Sequence, residues 1–328
     1  MLYFGEGCDS AMNITVLGCG RWGSFHAWYA NHIGCDTTLW GRPGSKNLAG
    51  LRATRTNEYL TLPSAVRLTD NLTSALETAD AVIISVSAQS LRPLARQLAA
   101  ENISGKKFVL CMKGLEIGTG KRLSEVLAEE AGDVPTAVWV GPGHVQDFMR
   151  QIPNCMVISS AKLSLTKELV EIFGSPLIRF YYGEDLLGTE IGAAAKNVMG
   201  LAAGMLDGMN YGSLKGALMA RGAKELSRLV GKMGGDPMTV YGLSHLGDYE
   251  ATLFSPHSNN RRFGEELVQG RKFAKLAEGV YTAEAILHLG ETYGADLPIC
   301  RTVYEITNLG KDPRAELTRL FLRPTKSE

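Results

Sequence analysis

A lysine among small residues is the first candidate for chemistry in this sequence. Lys196 lies in Gly188–Gly200, a run of glycine, alanine and apolar residues that we expect to be helical. Its neighbours three and four positions away are small or apolar, whereas acidic partners are typical of a solvated lysine. A desolvated lysine has a lowered pKa and can act as a general base near neutral pH. The alternative is a lysine that extends out of a packed helix into solvent.

Three further side chains could act with this lysine. Asn197 points about 100° away from Lys196 on an ideal helix and could orient a neighbouring group. Asp248 and Thr252 lie four positions apart and would share one face if their segment is helical. The run Ser258–Arg262 that follows is either an exposed loop or an anion-binding segment, since it is dense in hydrogen-bond donors.

A glycine-rich segment predicts a dinucleotide site. Gly18–Gly23 reads G-C-G-R-W-G and lies between a predicted strand, Ile14–Leu17, and a predicted helix, Phe25–Ala30. In that context Gly18 makes a tight turn, Gly20 admits a pyrophosphate, and Gly23 lets helix and strand pack closely. Without the context, the same pattern is often only a turn.

Two basic residues follow predicted strands. Arg42 comes after Thr37–Trp40, where an NAD-selective site would have an acidic residue, so it favours the 2′-phosphate of NADP; the alternative is an exposed loop arginine. Lys113 follows Phe108–Met112 at the strand end where α/β sheets bind ligands, although a solvated turn lysine is the other interpretation.

The elements that position these residues alternate between strand and helix. Further buried strands are predicted at Ala81–Val86, Ala137–Val140, Cys155–Ser159 and Leu177–Tyr182. Such alternation indicates an α/β fold, an N-terminal Rossmann-like doubly wound sheet. After Asp185 only helical periodicity remains, so we predict a dinucleotide-binding domain over 12–185 and an all-α substrate domain over 186–328.

Composition narrows the functional class. The net charge of the 328 residues is zero and 45% are hydrophobic, so no global field favours nucleic acid or a membrane surface. We predict no membrane span and no metal site, because the apolar runs are short and six scattered cysteines and six histidines lack ligand spacing. Reduced cysteines suit a cytoplasmic protein. Residues 1–11 are interpreted as a cloning remnant or over-long start before Met12.

Several short motifs, taken in the order in which they follow one another along the chain, resemble those of bacterial NAD(P)-dependent glycerol-3-phosphate dehydrogenase. The resemblance runs from Met12 to the C-terminal tail Leu320–Glu328. Besides Gly18–Gly23, the matching segments are Leu39–Arg42, Met112–Glu116, Gly192–Asn197, Ala220–Gly222, Gly247–Thr252, Asn260–Gly264 and Ala277–Thr282. Together they are far more specific than any one of them.

The resemblance implies roles for individual residues. Lys196 would be the base at the carbon-2 hydroxyl of sn-glycerol 3-phosphate, with Lys113 and Asp248 as the other catalytic residues. The implied cofactor contacts, for NADP or NAD with NADP slightly favoured, are Gly18, Gly20, Arg21, Trp22, Gly23, Arg42, Lys113, Val145, Asn259, Leu276 and Glu278. The implied substrate contacts are Lys113, Gly141, Gly143, Lys196, Asn197, Asp248, Thr252, Ser258, Asn259 and Asn260. The product would feed phospholipid synthesis, and a helical domain rich in glycine and alanine is consistent with a homodimer.

Two departures from the family pattern concern substrate recognition. Asn259 stands where the family usually has an arginine that pairs with the substrate phosphate, and Gly143 stands where it has a serine or threonine. Either Arg261, Arg262 or His144 takes over part of the phosphate contact, or the same chemistry acts on another hydroxy or polyol phosphate. A third alternative is a nucleotide-binding protein without catalysis, which the retained Lys196 disfavours.

Overall fold

The computed structural model describes residues 12–324, so the interpretation of residues 1–11 lies outside the described part. The chain forms two compact units. Residues 12–111 and 128–136 belong to the first, and residues 112–127 and 137–324 belong to the second. Each unit has its own strands and helices, and they are described in turn.

The first unit is built from alternating strands and helices. Its five strands are parallel, in the order β3-β2-β1-β4-β5. They are β1 (Asn13–Leu17), β2 (Asp36–Trp40), β3 (Arg67–Thr69), β4 (Ala81–Ile84) and β5 (Lys107–Leu110). The helices are α1 (Arg21–His32), α2 (Lys46–Thr54), α3 (Leu72–Leu76) and α4 (Leu91–Ala99), with α5 (Leu123–Ala131) shared with the second unit. The doubly wound sheet predicted from the alternation is confirmed.

The strand ends differ from the predicted ones. β4 ends at Ile84 rather than Val86, and β5 ends at Leu110 rather than Met112. Both strands are fully buried in their last two positions, as expected when helices cover both faces. The extra apolar residues of the prediction belong to loops at the carboxyl edge, which hydrophobicity alone does not separate from a buried strand.

The second unit begins with three strands and continues with helices. Its strands are β6 (Thr136–Val140), β7 (Asn154–Ser160) and β8 (Ile178–Gly183), with α6 (Val145–Met149) and α7 (Leu163–Phe173) between them. β7 runs antiparallel to β6 and parallel to β8, so this unit lacks the all-parallel arrangement of the first. From residue 186 to 324 the elements are helical, as predicted: α8 (Leu186–Gly208), α9 (Lys215–Lys232), α10 (Asn259–Val268), α11 (Glu278–Thr292), α12 (Pro298–Thr307) and α13 (Pro313–Phe321).

The helix α8 is the centre of the second unit. It has 23 residues and is buried continuously from Gly188 to Leu206, which is typical of a helix that is surrounded on all sides. The glycines set its distance to α10. A Cβ added to Gly204 would lie 1.8 Å from the carbonyl oxygen of Arg261, and one added to Gly264 would lie 2.2 Å from that of Leu201. The two helices therefore pack backbone to backbone.

Over residues 12–324, we find no helix with the length and apolar character needed to cross a membrane.

Candidate active site

Lys196 lies on α8 with its side chain inside the second unit. Its Nζ donates a hydrogen bond to Thr252 Oγ1 at 2.9 Å and forms an ion pair with Asp248 Oδ2. Lysine, threonine and aspartate are all buried. The alternative of a lysine that extends into solvent is therefore wrong.

A second lysine shares the same carboxylate. Lys113 Nζ donates to Asp248 Oδ2 at 2.7 Å and to the carbonyl oxygen of Gly141 at 2.7 Å. Two ammonium groups thus converge on one carboxylate oxygen. The structure brings together the three side chains that were predicted to be catalytic, from sequence positions up to 135 residues apart.

The segment that carries Asp248 and Thr252 is not an α-helix. Residues Leu246–Asp248 form a 3₁₀ turn, and Glu250–Phe254 form a single π-helical turn. Asp248 and Thr252 were predicted to share one face if their segment was an α-helix, and it is not one. Both side chains nevertheless reach Lys196, Asp248 from the 3₁₀ turn and Thr252 from the π-helical turn. Such turns often occur at functional sites.

Burial changes the protonation of this cluster. Desolvation lowers the pKa of Lys196 to about 7; the Asp248 carboxylate opposes the shift and the positive charge of Lys113 adds to it. Near neutral pH the amine is therefore present in both its neutral and its charged form. It can accept a proton and return it, which is the requirement for general acid–base catalysis.

A buried histidine supports the same region. His245 Nδ1 lies 2.8 Å from the carbonyl oxygen of Gly192, and its Nε2 lies 2.6 Å from the Tyr249 hydroxyl. Burial lowers the pKa of His245 to about 4, so the ring is neutral near pH 7. His245 is packed in the interior and joins α8 to the turn that contains Asp248.

Two asparagines connect the helices around the cluster. Asn197 Nδ2 donates to the carbonyl oxygen of Lys113 at 2.7 Å, and its Oδ1 accepts from Asn260 Nδ2 at 3.0 Å. Asn260 Oδ1 in turn accepts from the backbone N–H of Gly279 at 2.9 Å. As expected from its angle on the helix, Asn197 orients a neighbouring group.

The run Ser258–Arg262 is the start of a helix. Ser258 Oγ accepts from the backbone N–H of Arg261 at 3.3 Å and caps α10. The two interpretations offered for this run did not include a helix start, although serine before a polar helix is a standard N-cap. Asn259 is the first helical residue, and its Nδ2 donates to the carbonyl oxygen of Leu276 at 3.4 Å.

The first arginine of that run has several acceptors. Arg261 Nη1 donates to Asp207 at 2.6 Å and to Glu265 at 3.1 Å, and its Nε donates to the carbonyl oxygen of Ser255 at 3.2 Å. Its positive charge is thus matched inside the second unit. Arg262 is exposed, with its guanidinium carbon 5.6 Å from the centre of the Phe273 ring.

The loop Gly141–Val145 has a backbone that explains its glycines. Gly141 and Gly143 have φ of +134° and +142°, a backbone conformation that residues other than glycine rarely adopt. A Cβ on Gly143 would also lie 2.6 Å from the Phe148 ring. Val145 begins α6 and its side chain is buried, so it packs in the unit's interior.

The glycine-rich loop of the first unit has the shape of a dinucleotide cradle. Gly18 has φ of +114°, and a Cβ on Gly23 would lie 1.7 Å from the carbonyl oxygen of Gly18. A Cβ on Gly20 would meet no atom within 4 Å, and Gly20 is the N-cap of α1, which has no side-chain cap. Open space at the second glycine and a helix N-terminus behind it suit the pyrophosphate of NAD(P).

The other predicted cofactor residues are distributed over both units. Arg42 is exposed two positions after β2, and since Leu17 pairs with Trp40, it follows the same sheet edge as the glycine loop. Arg21 and Trp22 begin α1, where the Arg21 guanidinium carbon lies 5.5 Å from the centre of the Tyr59 ring.

In the second unit, Leu276 is half exposed and Glu278 begins α11. Besides these, a histidine to which sequence reasoning assigned no role, His257, lies beside His144, with ring centroids 5.6 Å apart. In the sequence, the position of His257 next to Ser258, a predicted substrate contact, was the signal for a role in the site.

Comparison with known proteins agrees with this geometry. The N-terminal family of NAD-dependent glycerol-3-phosphate dehydrogenase matches residues 13–166, and the C-terminal family matches residues 185–318. The glycerol-3-phosphate dehydrogenase [NAD(P)+] of Prosthecochloris aestuarii is 38% identical over 97% of this chain and 100% of its own, and that of Streptomyces griseus is 38% identical over 97% and 98%.

A solved structure is similar over almost the full length of the chain. The crystal structure of glycerol-3-phosphate dehydrogenase from Coxiella burnetii superposes with a TM-score of 0.88 at 27% identity, covering 95% of this chain and 99% of its own. Both family halves, full-length relatives and the fold agree. The chain therefore belongs to the NAD-dependent glycerol-3-phosphate dehydrogenase family.

Proposed function

We propose that this protein interconverts sn-glycerol 3-phosphate and dihydroxyacetone phosphate with NAD or NADP, in line with relatives that are named glycerol-3-phosphate dehydrogenase [NAD(P)+]. The observation that carries the proposal is the buried Lys196, with a pKa of about 7 and bonds to Asp248 and Thr252. A lysine that is neutral and charged in similar amounts suits a reaction that removes a proton in one direction and returns it in the other.

Lys196 acts as the general acid–base. In oxidation, its neutral Nζ takes the proton from the carbon-2 hydroxyl while the hydride leaves the same carbon. In reduction, the charged ammonium gives its proton to the forming alkoxide. A bound NAD(P) supplies the hydride acceptor or donor.

Asp248 and Lys113 position Lys196 and set its charge. The Asp248 carboxylate accepts from both lysines, so it holds the two ammonium groups in one place. The positive charge of Lys113 disfavours a second charge at Lys196. The same charge would stabilise negative charge that develops on the substrate oxygen. Thr252 fixes the direction of the amine.

The remaining predicted contacts complete the proposal. Gly18, Gly20 and Gly23 would hold the pyrophosphate, with Arg42 favouring NADP over NAD. Ser258, Asn259 and Asn260 would face the substrate. A different polyol phosphate and a protein without catalysis are not favoured by the family relationship.

The finer assignments are also proposals. We infer a cytoplasmic homodimer with a dinucleotide domain over 12–185 and a substrate domain over 186–328. The separate family matches on either side of residue 185 support that division. Over residues 12–324 the cysteines form no disulfide, which is in line with a reducing compartment. Sedimentation equilibrium would test the dimer.

The direct experiment is oxidation of NADPH or NADH with dihydroxyacetone phosphate as acceptor. We expect turnover with a KM in the range of about 1 μM to 1 mM. Coenzyme binding without turnover on this acceptor would overturn the proposal. The ratio of kcat/KM for NADPH and NADH, in wild type and in Arg42→Ala, then measures the coenzyme preference.

A further inference from the structure

Two histidines from distant parts of the sequence meet in the second unit. The rings of His144 and His257 are 5.6 Å apart and nearly perpendicular, at 71°. His144 lies in the loop that follows β6, and His257 lies in the loop between the π-helical turn and α10. His257 is exposed. The pair thus has a solvent-facing side to which a small molecule has access.

Both loops start at the lysine cluster. Gly141, whose carbonyl oxygen accepts from Lys113, is three residues before His144. Thr252, whose hydroxyl accepts from Lys196, is five residues before His257. The residue after His257 caps α10, where Asn260 bonds to the neighbour of Lys196. Each histidine of the pair is therefore three to five residues along the chain from a residue that bonds to a lysine of the proposed proton-transfer site.

The buried and partly buried cationic side chains of this region already have carboxylate partners, while Arg262 is exposed over the Phe273 ring. The ammonium groups of Lys113 and Lys196 are both paired with Asp248. Arg261 is paired with Asp207 and Glu265. Asn259 is neutral. A phosphate dianion that binds beside the lysine cluster needs other donors, and imidazole N–H groups can provide them.

We propose that His144 and His257 together bind the phosphate group of the substrate. The inference rests on the proposed function, since it takes the substrate to be phosphorylated. Each ring directs one N–H at a phosphate oxygen, and the perpendicular arrangement lets two rings donate to one group. The pair is a recognition device and takes no part in the proton transfer.

The test compares His257→Ala and His144→Ala with a control, His288→Ala, an exposed histidine on α11. In both test variants we expect the KM for dihydroxyacetone phosphate to rise about 10- to 100-fold, as for the loss of a hydrogen bond to a charged group. We expect kcat to stay close to the wild-type value. The KM for unphosphorylated dihydroxyacetone should not change, because that substrate has no phosphate to lose contact with.

A second measurement does not depend on turnover. Inorganic phosphate is titrated into each protein while the histidine ring proton signals are followed by NMR. Wild type and His288→Ala should show saturable shifts, and His257→Ala should bind phosphate at least about tenfold more weakly. His257→Gln keeps a donor and should recover part of the affinity. A circular dichroism melt confirms that each variant is folded.

The outcomes separate this inference from the proposed function. A wild type that does not reduce dihydroxyacetone phosphate would overturn the proposed function. An active wild type whose histidine variants keep the same KM and the same phosphate affinity would overturn the histidine assignment alone. Equal losses for dihydroxyacetone and its phosphate would also overturn it, because they would indicate a general distortion of the site.

Discussion

Lys196 and Asp248 form an ion pair whose side chains are only 8% and 1% exposed. A buried amine of this kind is held near its carboxylate yet loses much of its affinity for the proton through desolvation. The pair therefore combines a fixed geometry with a labile charge.

Replacement of Lys196 by alanine should abolish most of the turnover. A general acid–base contributes about 10²- to 10⁴-fold to a rate, so kcat should fall by that order. Coenzyme affinity should survive, because the glycine-rich loop belongs to the other unit. Steady-state kinetics and a fluorescence titration with NADPH measure the two quantities. A kcat within tenfold of wild type would refute the assigned role.

The rates of the two directions should depend on pH in opposite ways. Oxidation needs neutral Lys196, so kcat/KM for glycerol 3-phosphate should rise with pH through a midpoint near the pKa of about 7. Reduction needs the ammonium, so kcat/KM for dihydroxyacetone phosphate should fall above the same midpoint. Initial rates from pH 5.5 to 9 in both directions check this. Profiles of the same sign would contradict it.

The neighbours of Lys196 should move that midpoint in opposite directions. The Asp248 carboxylate raises the pKa of Lys196 and the Lys113 charge lowers it. Asp248→Asn should therefore shift the oxidation midpoint to lower pH, and Lys113→Met should shift it to higher pH. The residual oxidation rate of each variant, measured over the same pH range, gives the two midpoints. Parallel shifts would show that another group titrates.

An arginine at position 259 should improve substrate binding. Asn259 makes a single long hydrogen bond, at 3.4 Å, to the carbonyl oxygen of Leu276, so little is lost when it is replaced. A guanidinium there would add a charge-assisted contact, and we expect the KM for dihydroxyacetone phosphate to fall about tenfold in Asn259→Arg. Asn259→Gln is the neutral control. An unchanged or raised KM would mean that the site is organised around asparagine.

A serine at position 143 should not restore a useful hydroxyl. The positive φ of Gly143 opposes a side chain, and so does the Phe148 ring, which lies 2.6 Å from the place that a Cβ would occupy. We expect Gly143→Ser and Gly143→Ala to lose similar stability, about 1–3 kcal/mol, in urea denaturation. A serine variant as stable as wild type with a lower KM would contradict this.

Replacement of two helical glycines by alanine should change the stability of the protein in opposite directions. Gly216 lies in α9 with open space around its Cβ position, so Gly216→Ala should stabilise the protein by about 0.4–1 kcal/mol. In Gly204→Ala the new Cβ would meet the Arg261 backbone at 1.8 Å, and we expect a loss of about 1–3 kcal/mol or more. Denaturant midpoints of the pair, measured side by side, test the α8–α10 packing. Similar midpoints would contradict it.

The sequence predicts the helices and strands better than it predicts which side chains come into contact. The small neighbours of Lys196 indicate a close approach, and the structure has Thr252 and Asp248 there. That Lys113 would share the same carboxylate oxygen does not follow from spacing, because the two partners are 135 residues apart. Only the family resemblance grouped the three residues in advance.

Local backbone conformation was a second feature that the sequence did not fully predict. Serine at position 258 is a recognisable helix cap, yet the polar run after it reads equally well as a loop, because its apolar stripe is weak. The π-helical turn at Glu250–Phe254 has no sequence signal of its own. The antiparallel β7 was also not predicted, since strand composition does not encode direction.

The continuous burial of α8 from Gly188 to Leu206 also has a consequence for biosynthesis. The helix leaves the ribosome well before the helices that cover it, since 84 residues separate Gly208 from Thr292, the last residue of α11. At about 5–20 residues per second, translation needs about 4–17 s to deliver them. During that interval an apolar 23-residue segment is without its final partners. Nascent chains of this protein are therefore expected to depend on chaperones that hold α8 until synthesis is complete.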